Sequence, residues 1–356
     1  MLIFYICKTY ILEMKKILIG SLIICSSIVG VGFVSGKEVY NFFAAYGIVG
    51  FVFSLAASVA FGFVIYYFLN NAKDVDHLIF IKKPQNCVEK CEKPYQNGKN
   101  IKIIAIFNYL LKVGYIIISA VMISGFRSVL NGFLPPFITE IVVFILLGLL
   151  LLLLQKEIVQ MKTYSIFFMI TFSCLLCYLF CKNFHQINFE LRLGANNLYG
   201  LCLVAFYISM NIFTCLRLLV GFGKDMTKVE CKKMGIVCGT IIGILLSFST
   251  LLLINRGNGE MPLLSFAGGG GFGAVYVCLI ILGLLTTLFS TIFGAASIGE
   301  GGLVKRQVLA IYFSYILSSF GFSKLVAVGY PVLGFFTMLA LVTIVLILKN
   351  RKSVVK

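Results

Sequence analysis

Tryptophan is absent from this chain, histidine occurs only twice, and aspartate and glutamate together number 13 among 356 residues. Each scarcity excludes something. Without Trp, the aromatic anchors that membrane proteins place at the water interface would have to be tyrosines such as Tyr66, Tyr67, Tyr199 and Tyr330. With only His77 and His185, both in or near connecting segments, no H-E-x-x-H zinc motif can be written. No nucleophile-base pair or carboxylate dyad lies within the apolar runs, so an intramembrane enzyme is disfavoured. Charge is scarce too: 12% of residues, against roughly a quarter in a soluble domain.

Hydrophobic residues make up 60% of the chain and the mean hydropathy is +1.03. A membrane-spanning helix needs about 20 mostly apolar residues, because the hydrocarbon core is about 30 Å thick. Runs of that kind recur from end to end, as expected of an all-α integral membrane protein. The longest polar stretch, 70–100, is too short for an independent core. A net charge of +17 could point to nucleic acid, but the basic residues sit in the connections between apolar runs. They read instead as topology signals and contacts to anionic lipid from basic cytoplasmic loops, with no nucleic-acid partner. The 12 cysteines are scattered, several within apolar runs as small hydrophobes, so no disulfide framework is expected. Cys87 and Cys91 in "NCVEKCEK" have no nearby His, which leaves a structural or incidental role as the better reading.

Lys15 and Lys16 precede an apolar run without an A-x-A-like cleavage site, so an uncleaved first span is expected, with residues 1–15 as a cytoplasmic extension. Ten spans are predicted, at about 16–46, 48–69, 101–130, 137–155, 163–181, 196–222, 234–255, 272–298, 307–320 and 325–348, and a tail at 349–356. Pro135 and Pro136 separate the third from the fourth, since neither can continue a helix. If the N-terminus is inside, 22 of the 30 Lys and Arg residues fall in inner segments and four in outer ones. That bias predicts cytoplasmic N- and C-termini in a cell membrane. A reporter fused after Lys99 or at Lys356 should therefore be cytoplasmic, and one near Gly257 external. An external C-terminus would remove the ten-span scheme.

The first span contains "CSSIVGVGFVSGKEVYNFF", in which Gly30, Gly32 and Gly36 are followed by Lys37 and Glu38. Helix-breaking sequence at membrane depth is tolerated only where it is buried in protein or lines a cavity. Unwinding there would free carbonyls for a cation and aim the N-terminus of the next half-helix at an anionic group. Close helix packing would also explain the glycines, with Ser26 and Gly30 at small-xxx-small spacing, but not the charges, which are costly in a span and usually face a polar interior. Lys112 is a further interior charge and the expected ion-pair partner of Glu38. Arg217 lies near the inner end of the sixth span and reads as a snorkelling side chain. "AGGGGFG" at 267–273 lacks the Lys-Ser/Thr ending of a phosphate loop.

"VGFVSGKEVYNFF" resembles the signature "GAGFASGQE...FF" of the YkvI-like uncharacterised membrane proteins, which belong with the amino acid-polyamine-organocation transporter superfamily. "VAFYISMNIF" at 204–213, "EMPLL" at 260–264 and "LLTTLFSTIFG" at 284–294 resemble its later landmarks. Lys37 stands where that family commonly has a neutral residue. The resemblance implies a LeuT-like fold of two inverted five-helix repeats, about 16–181 and 196–348, with discontinuous first and sixth helices. It implies a solute site at Gly30, Gly32, Phe33, Ser35, Gly36, Tyr207, Ser209 and Asn211. It implies an ion-coupling site for Na+ at Val29, Gly32, Gly283, Thr286, Thr287 and Ser290. The hydroxyls of the eighth span could equally be packing contacts that bond the carbonyl a turn back. Lys37 or Lys112 could instead carry a coupling H+.

The expected function is a secondary active transporter of a small solute, such as an amino acid or related metabolite, with no cofactor beyond a coupling Na+ or H+. The alternative is a non-transporting receptor or scaffold that retains the fold.

Overall fold

The structure, a computed structural model, describes residues 2–79, 98–154, 159–186, 197–254, 259–268, 270–298 and 302–354. Cys87, Cys91 and most of the 70–100 connection lie outside the described residues, which contain helices and no strand. In chain order they form α1 (Leu2–Ile28), α2 (Val31–Val34), α3 (Lys37–Phe42), α4 (Ile48–Asn70), α5 (Ala72–Ile79), α6 (Gly98–Asn131), α7 (Pro136–Leu154) and α8 (Val159–Asn183). These are followed by α9 (Asn197–Gly223), α10 (Lys228–Leu253), α11 (Leu264–Ala267), α12 (Gly271–Ser297), α13 (Leu303–Ser318), α14 (Phe322–Lys324) and α15 (Tyr330–Val354). Among the described residues seven helices are long and apolar enough to cross a membrane, and Pro136–Leu152 is a shorter apolar helix. The chain is a multi-pass membrane protein.

Local chemistry explains the boundaries. α7 begins at Pro136, where a missing N–H costs nothing because the first amides of a helix have no partner in the helix. α10 begins with a reciprocal cap: the Thr227 hydroxyl accepts from the Glu230 amide at 3.3 Å, and the Glu230 carboxylate accepts from the Thr227 amide at 2.6 Å. α1 starts at Leu2, so the segment expected to form a separate extension is continuous with the first helix.

The lipid-facing surface is apolar. On α4, Val52, Leu55, Val59 and Phe63 are all exposed at helical spacing, while Ser54, Ala57, Phe61 and Ile65 on the opposite face are buried. That inner face packs on α10 at a crossing of small residues, where the Ser58 hydroxyl donates to the Gly239 carbonyl at 2.8 Å. A Cβ on Gly235 would lie 2.7 Å from the Gly62 carbonyl oxygen. Small side chains let two helices in lipid approach closely and gain dispersion energy.

Polar contacts sort the connections into two ends. At one, Lys233 pairs with Glu13 at 2.9 Å, Lys16 with Glu230 at 3.9 Å, and Lys224 with Asp76 at 2.8 Å. Asp76 sits on α5, which buries Ala72, Val75 and Leu78 along one side and exposes Lys73 and Asp74. At the other end Arg127 pairs with Glu140 at 2.8 Å, Tyr315 donates to Glu140 at 2.8 Å, and Ser128 donates to Glu260 at 2.5 Å. The first set comes from segments predicted to be on the inner side; of the second, Glu260 lies in a predicted outer connection and Arg127, Ser128, Glu140 and Tyr315 lie in predicted spans.

One expectation is corrected. α9, the predicted discontinuous sixth span, is a single uninterrupted helix of 27 residues. Its interior has no glycine cluster to release the backbone. Ser209, Asn211 and Thr214 bond carbonyls of their own helix, from Ala205, Tyr207 and Asn211.

Candidate functional site

The first span is interrupted where its glycines predict. The Val29 amide still bonds the Cys25 carbonyl at 2.8 Å, whereas the Gly30 amide turns to Ile28 at 2.9 Å and ends α1. The single turn of α2 follows, and Gly36 then takes a left-handed backbone, φ 83°, before α3. A side chain there would strain the backbone, and a Cβ would also lie 2.7 Å from Leu263. Ser35 bridges the gap: its hydroxyl donates to the Gly32 carbonyl at 3.1 Å and accepts from the Lys37 amide at 3.3 Å.

Neighbouring elements occupy one side of the break. The Val34 carbonyl accepts from the Tyr276 hydroxyl at 2.6 Å and the Ser35 carbonyl from the Leu263 amide at 2.9 Å. Lys37 Nζ donates to the Gly259 carbonyl at 3.0 Å. The Val34 and Ser35 carbonyls are thus bonded to protein, and residues 259–267 cover this side of the break.

On the opposite side lies a cavity of about 640 Å³. It runs from Gly30, Glu38 and Tyr330 to Arg217, Gly221 and Phe222 near the end of α9 that carries the Lys224–Asp76 pair. Its polar wall is built mainly of acceptors. Ser26, Ser27, Thr214, Thr286 and Ser290 all line it, and each hydroxyl donates to a carbonyl three residues back in its own helix, leaving oxygen lone pairs. Asn211 spends its amide protons likewise, on Tyr207 at 2.9 Å. The Thr287 carbonyl accepts from the Ser290 and Thr291 hydroxyls, and its own Oγ1 would lie 3.6 Å from a Cβ on Gly30. The break and α12 therefore face each other across the cavity.

Glu38 is 3% exposed and lies at the closed end of the cavity. Its carboxyl folds back onto Gly32, so closely that a Cβ on Gly32 would overlap Oε1. The Tyr330 phenol is a neighbour of it and lines the same cavity. Among the described residues it has no ion pair, so the expected pairing with Lys112 is not formed. Lys112 is half-buried and outside the cavity wall.

The structure brings together Gly30, Asn211, Glu38, Thr286, Thr287 and Ser290 from the predicted set. It places the others elsewhere. Val29 and Phe33 are buried in packing, Phe33 edge-on to Phe172 at 6.0 Å. Gly32, Ser35, Gly36 and Lys37 form the covered side of the break, and a Cβ on Gly283 would meet the Phe168 ring at 3.0 Å, away from the cavity. Ser209 bonds its own helix, and Tyr207 is enclosed by Phe42, Phe43 and Phe61, its hydroxyl without a hydrogen-bond partner among the described residues.

Sequence reasoning missed Tyr330, read above as an interfacial anchor but only 2% exposed. The signal available was Tyr330-Pro331 inside an apolar run: Pro331 removes a backbone donor, and the residues just before it, Leu325–Gly329, are π-helical. π-segments often mark functional positions. Thr214, Leu218 and Gly221 follow Asn211 at helical spacing and were within reach of the same periodicity. Arg217 is exposed, in keeping with the expected snorkelling side chain. It donates to the Ser297 hydroxyl and lies 5.7 Å from the Phe293 ring, joining α9 to the end of α12 at the cavity mouth. Among the described residues no group of three His, Cys, Asp or Glu could hold a metal ion.

No protein-family model matches the chain. The uncharacterised protein YyaD of Bacillus subtilis (strain 168) is 23% identical over 338 residues, which cover 91% of this chain and 95% of that protein. A crystal structure of the Eremococcus coleocola manganese transporter, in complex with an aromatic bis-isothiourea substituted compound, aligns over 97% of this chain and 74% of its own. The identity is 12% and the TM-score 0.47.

Proposed function

We propose that this protein is a secondary active transporter that binds a small solute, such as an amino acid or related metabolite, in the cavity beneath the interrupted first helix. The observation that carries the reading is the pairing of a helix break at membrane depth with a cavity covered on one side by residues 259–267 and extending to the basic end on the other. Such a cavity is what alternating access requires: one site, reached from one side at a time.

Ten spans are part of this proposal, with α1–α3 as the first and α14–α15 as the last. The inverted repeat draws support from the contacts of α1 with α9, α4 with α10, α6 with α12 and α7 with α13, each pair five spans apart in this count. Under the positive-inside rule the basic end is cytoplasmic, which makes the described conformation inward-facing and puts both termini inside. Thr286, Thr287 and Ser290 opposite Gly30 supply oxygen ligands suited to Na+. Coupling to H+ is the other form of the proposal.

Thermal-shift screening of the purified protein against amino acids and other small metabolites, with Na+ exchanged for K+ and pH varied, tests it. A ligand present at 100 times its Kd stabilises the native state by about 2.7 kcal/mol. At least one solute should raise the melting temperature, and uptake of that solute into proteoliposomes should follow. Binding without uptake would favour the receptor reading. A melting temperature indifferent to every solute and both cations would count against a solute site.

A further inference from the structure

A carboxyl buried at the end of an acceptor-lined cavity has two ways to exist: paired with a cation, or neutral. Isolated buried charges are avoided because low dielectric disfavours them. Glu38 is 3% exposed and lacks an ion pair among the described residues. The groups around it are accounted for element by element. From α2 it meets Gly32, which has no side chain. From α9 the titratable neighbour is Tyr207, and from α15 it is Tyr330, both phenols. The π-helical segment Leu325–Gly329 and the short helical turn Ala44–Tyr46 carry no Asp, Glu, Lys or Arg, and the charged residues of α10, Lys228 to Lys233, lie at its opposite end. On α3 itself, Lys37 points outward to the Gly259 carbonyl. Arg217 is at the far mouth of the cavity.

We propose that Glu38 is a proton-binding site of this protein, protonated in the conformation described and exchanging its proton with water in the cavity. This rests on the transporter reading only for the further step that the bound proton is the coupling ion. The chemistry is a simple transfer: the carboxylic O–H bond breaks, its electron pair stays on the carboxylate, and the proton passes to cavity water. The carboxylate left behind has the Tyr330 phenol as a neighbour and no paired cation among the described residues.

Infrared difference spectroscopy on the full-length protein in nanodiscs, at neutral against alkaline pH, reads the proton without any solute. The expected result is a carbonyl band of a protonated carboxyl at neutral pH, lost on alkalinisation, shifted in D2O and missing in Glu38→Gln. Tyr330→Phe keeps the carboxyl and removes its phenolic neighbour, so its band should persist at a shifted frequency; this variant, with 13C-labelled glutamate, decides the matter if Glu38→Gln fails to fold. No such band, a band retained in Glu38→Gln, or a frequency indifferent to Tyr330→Phe would overturn the proposal. A Glu38 band in a protein that transports nothing would leave the proton site standing and remove only the coupling step. Uptake in a protein without the band would do the opposite.

Discussion

Gly32→Leu should abolish solute binding while leaving membrane insertion intact. Added hydrophobicity favours insertion of the span, so the variant should reach the membrane in ordinary amounts. A Cβ at this position overlaps the Glu38 carboxyl, and the remainder of a leucine side chain must displace α3 or drive Glu38 into the cavity. Overpacking of this kind costs about 1–3 kcal/mol, and here it falls on the residue at the closed end of the site. Gly30→Ala is the matched control, because its Cβ would sit 3.6 Å from Thr287 Oγ1, an ordinary contact. The measurement is ligand-induced thermal shift of both variants beside the wild type. Normal binding by Gly32→Leu would leave close packing as the whole explanation of these glycines.

The largest loss of stability is expected from Gly239→Leu at the crossing of α4 and α10. A Cβ there would meet Gly62 Cα and the Ser58 carbonyl oxygen, each at 3.0 Å, and Gly62 N at 3.2 Å. All three are backbone atoms and cannot rotate aside, so the helices themselves must separate. Separation also breaks the bond from Ser58 to the Gly239 carbonyl. A destabilisation of about 3 kcal/mol, the upper end of the usual range for overpacked cores, should appear as a much lower melting temperature in detergent and poor accumulation in the membrane. Gly148→Leu, on α7 with nothing within 4 Å of its Cβ, should change little. Equal melting temperatures for the two variants would mean that α4 and α10 do not approach as described.

The glycines and charges of residues 30–38 were legible as an interruption because they violate the local rule for a membrane helix, and a local rule needs no knowledge of neighbours. The hydroxyls of α12 were legible for a similar reason: Thr286, Thr287 and Ser290 repeat at helical spacing. α9 was not legible as a continuous helix. Its polar residues have the composition of a break, yet they donate to carbonyls of their own helix and leave it whole. Glu38 was recognised as an interior charge, but its surroundings were misjudged, because pairing by charge type ignores distance and Lys112 does not line the cavity.

By itself the sequence determined that the chain is helical and crosses a membrane, and where its first span must open. Hydrophobic run length, glycine content and the placement of Lys and Arg act through solvent and backbone alone, so each can be read one segment at a time. Only the tertiary structure decided that Tyr330, some 290 residues away, is a neighbour of Glu38, that Gly283 faces Phe168, and that residues 259–267 cover one side of the break. Those are relations between helices distant in the chain. They depend on which faces pack together, and side-chain volumes at crossings such as Gly62 with Gly235 settle that only once the whole bundle has assembled.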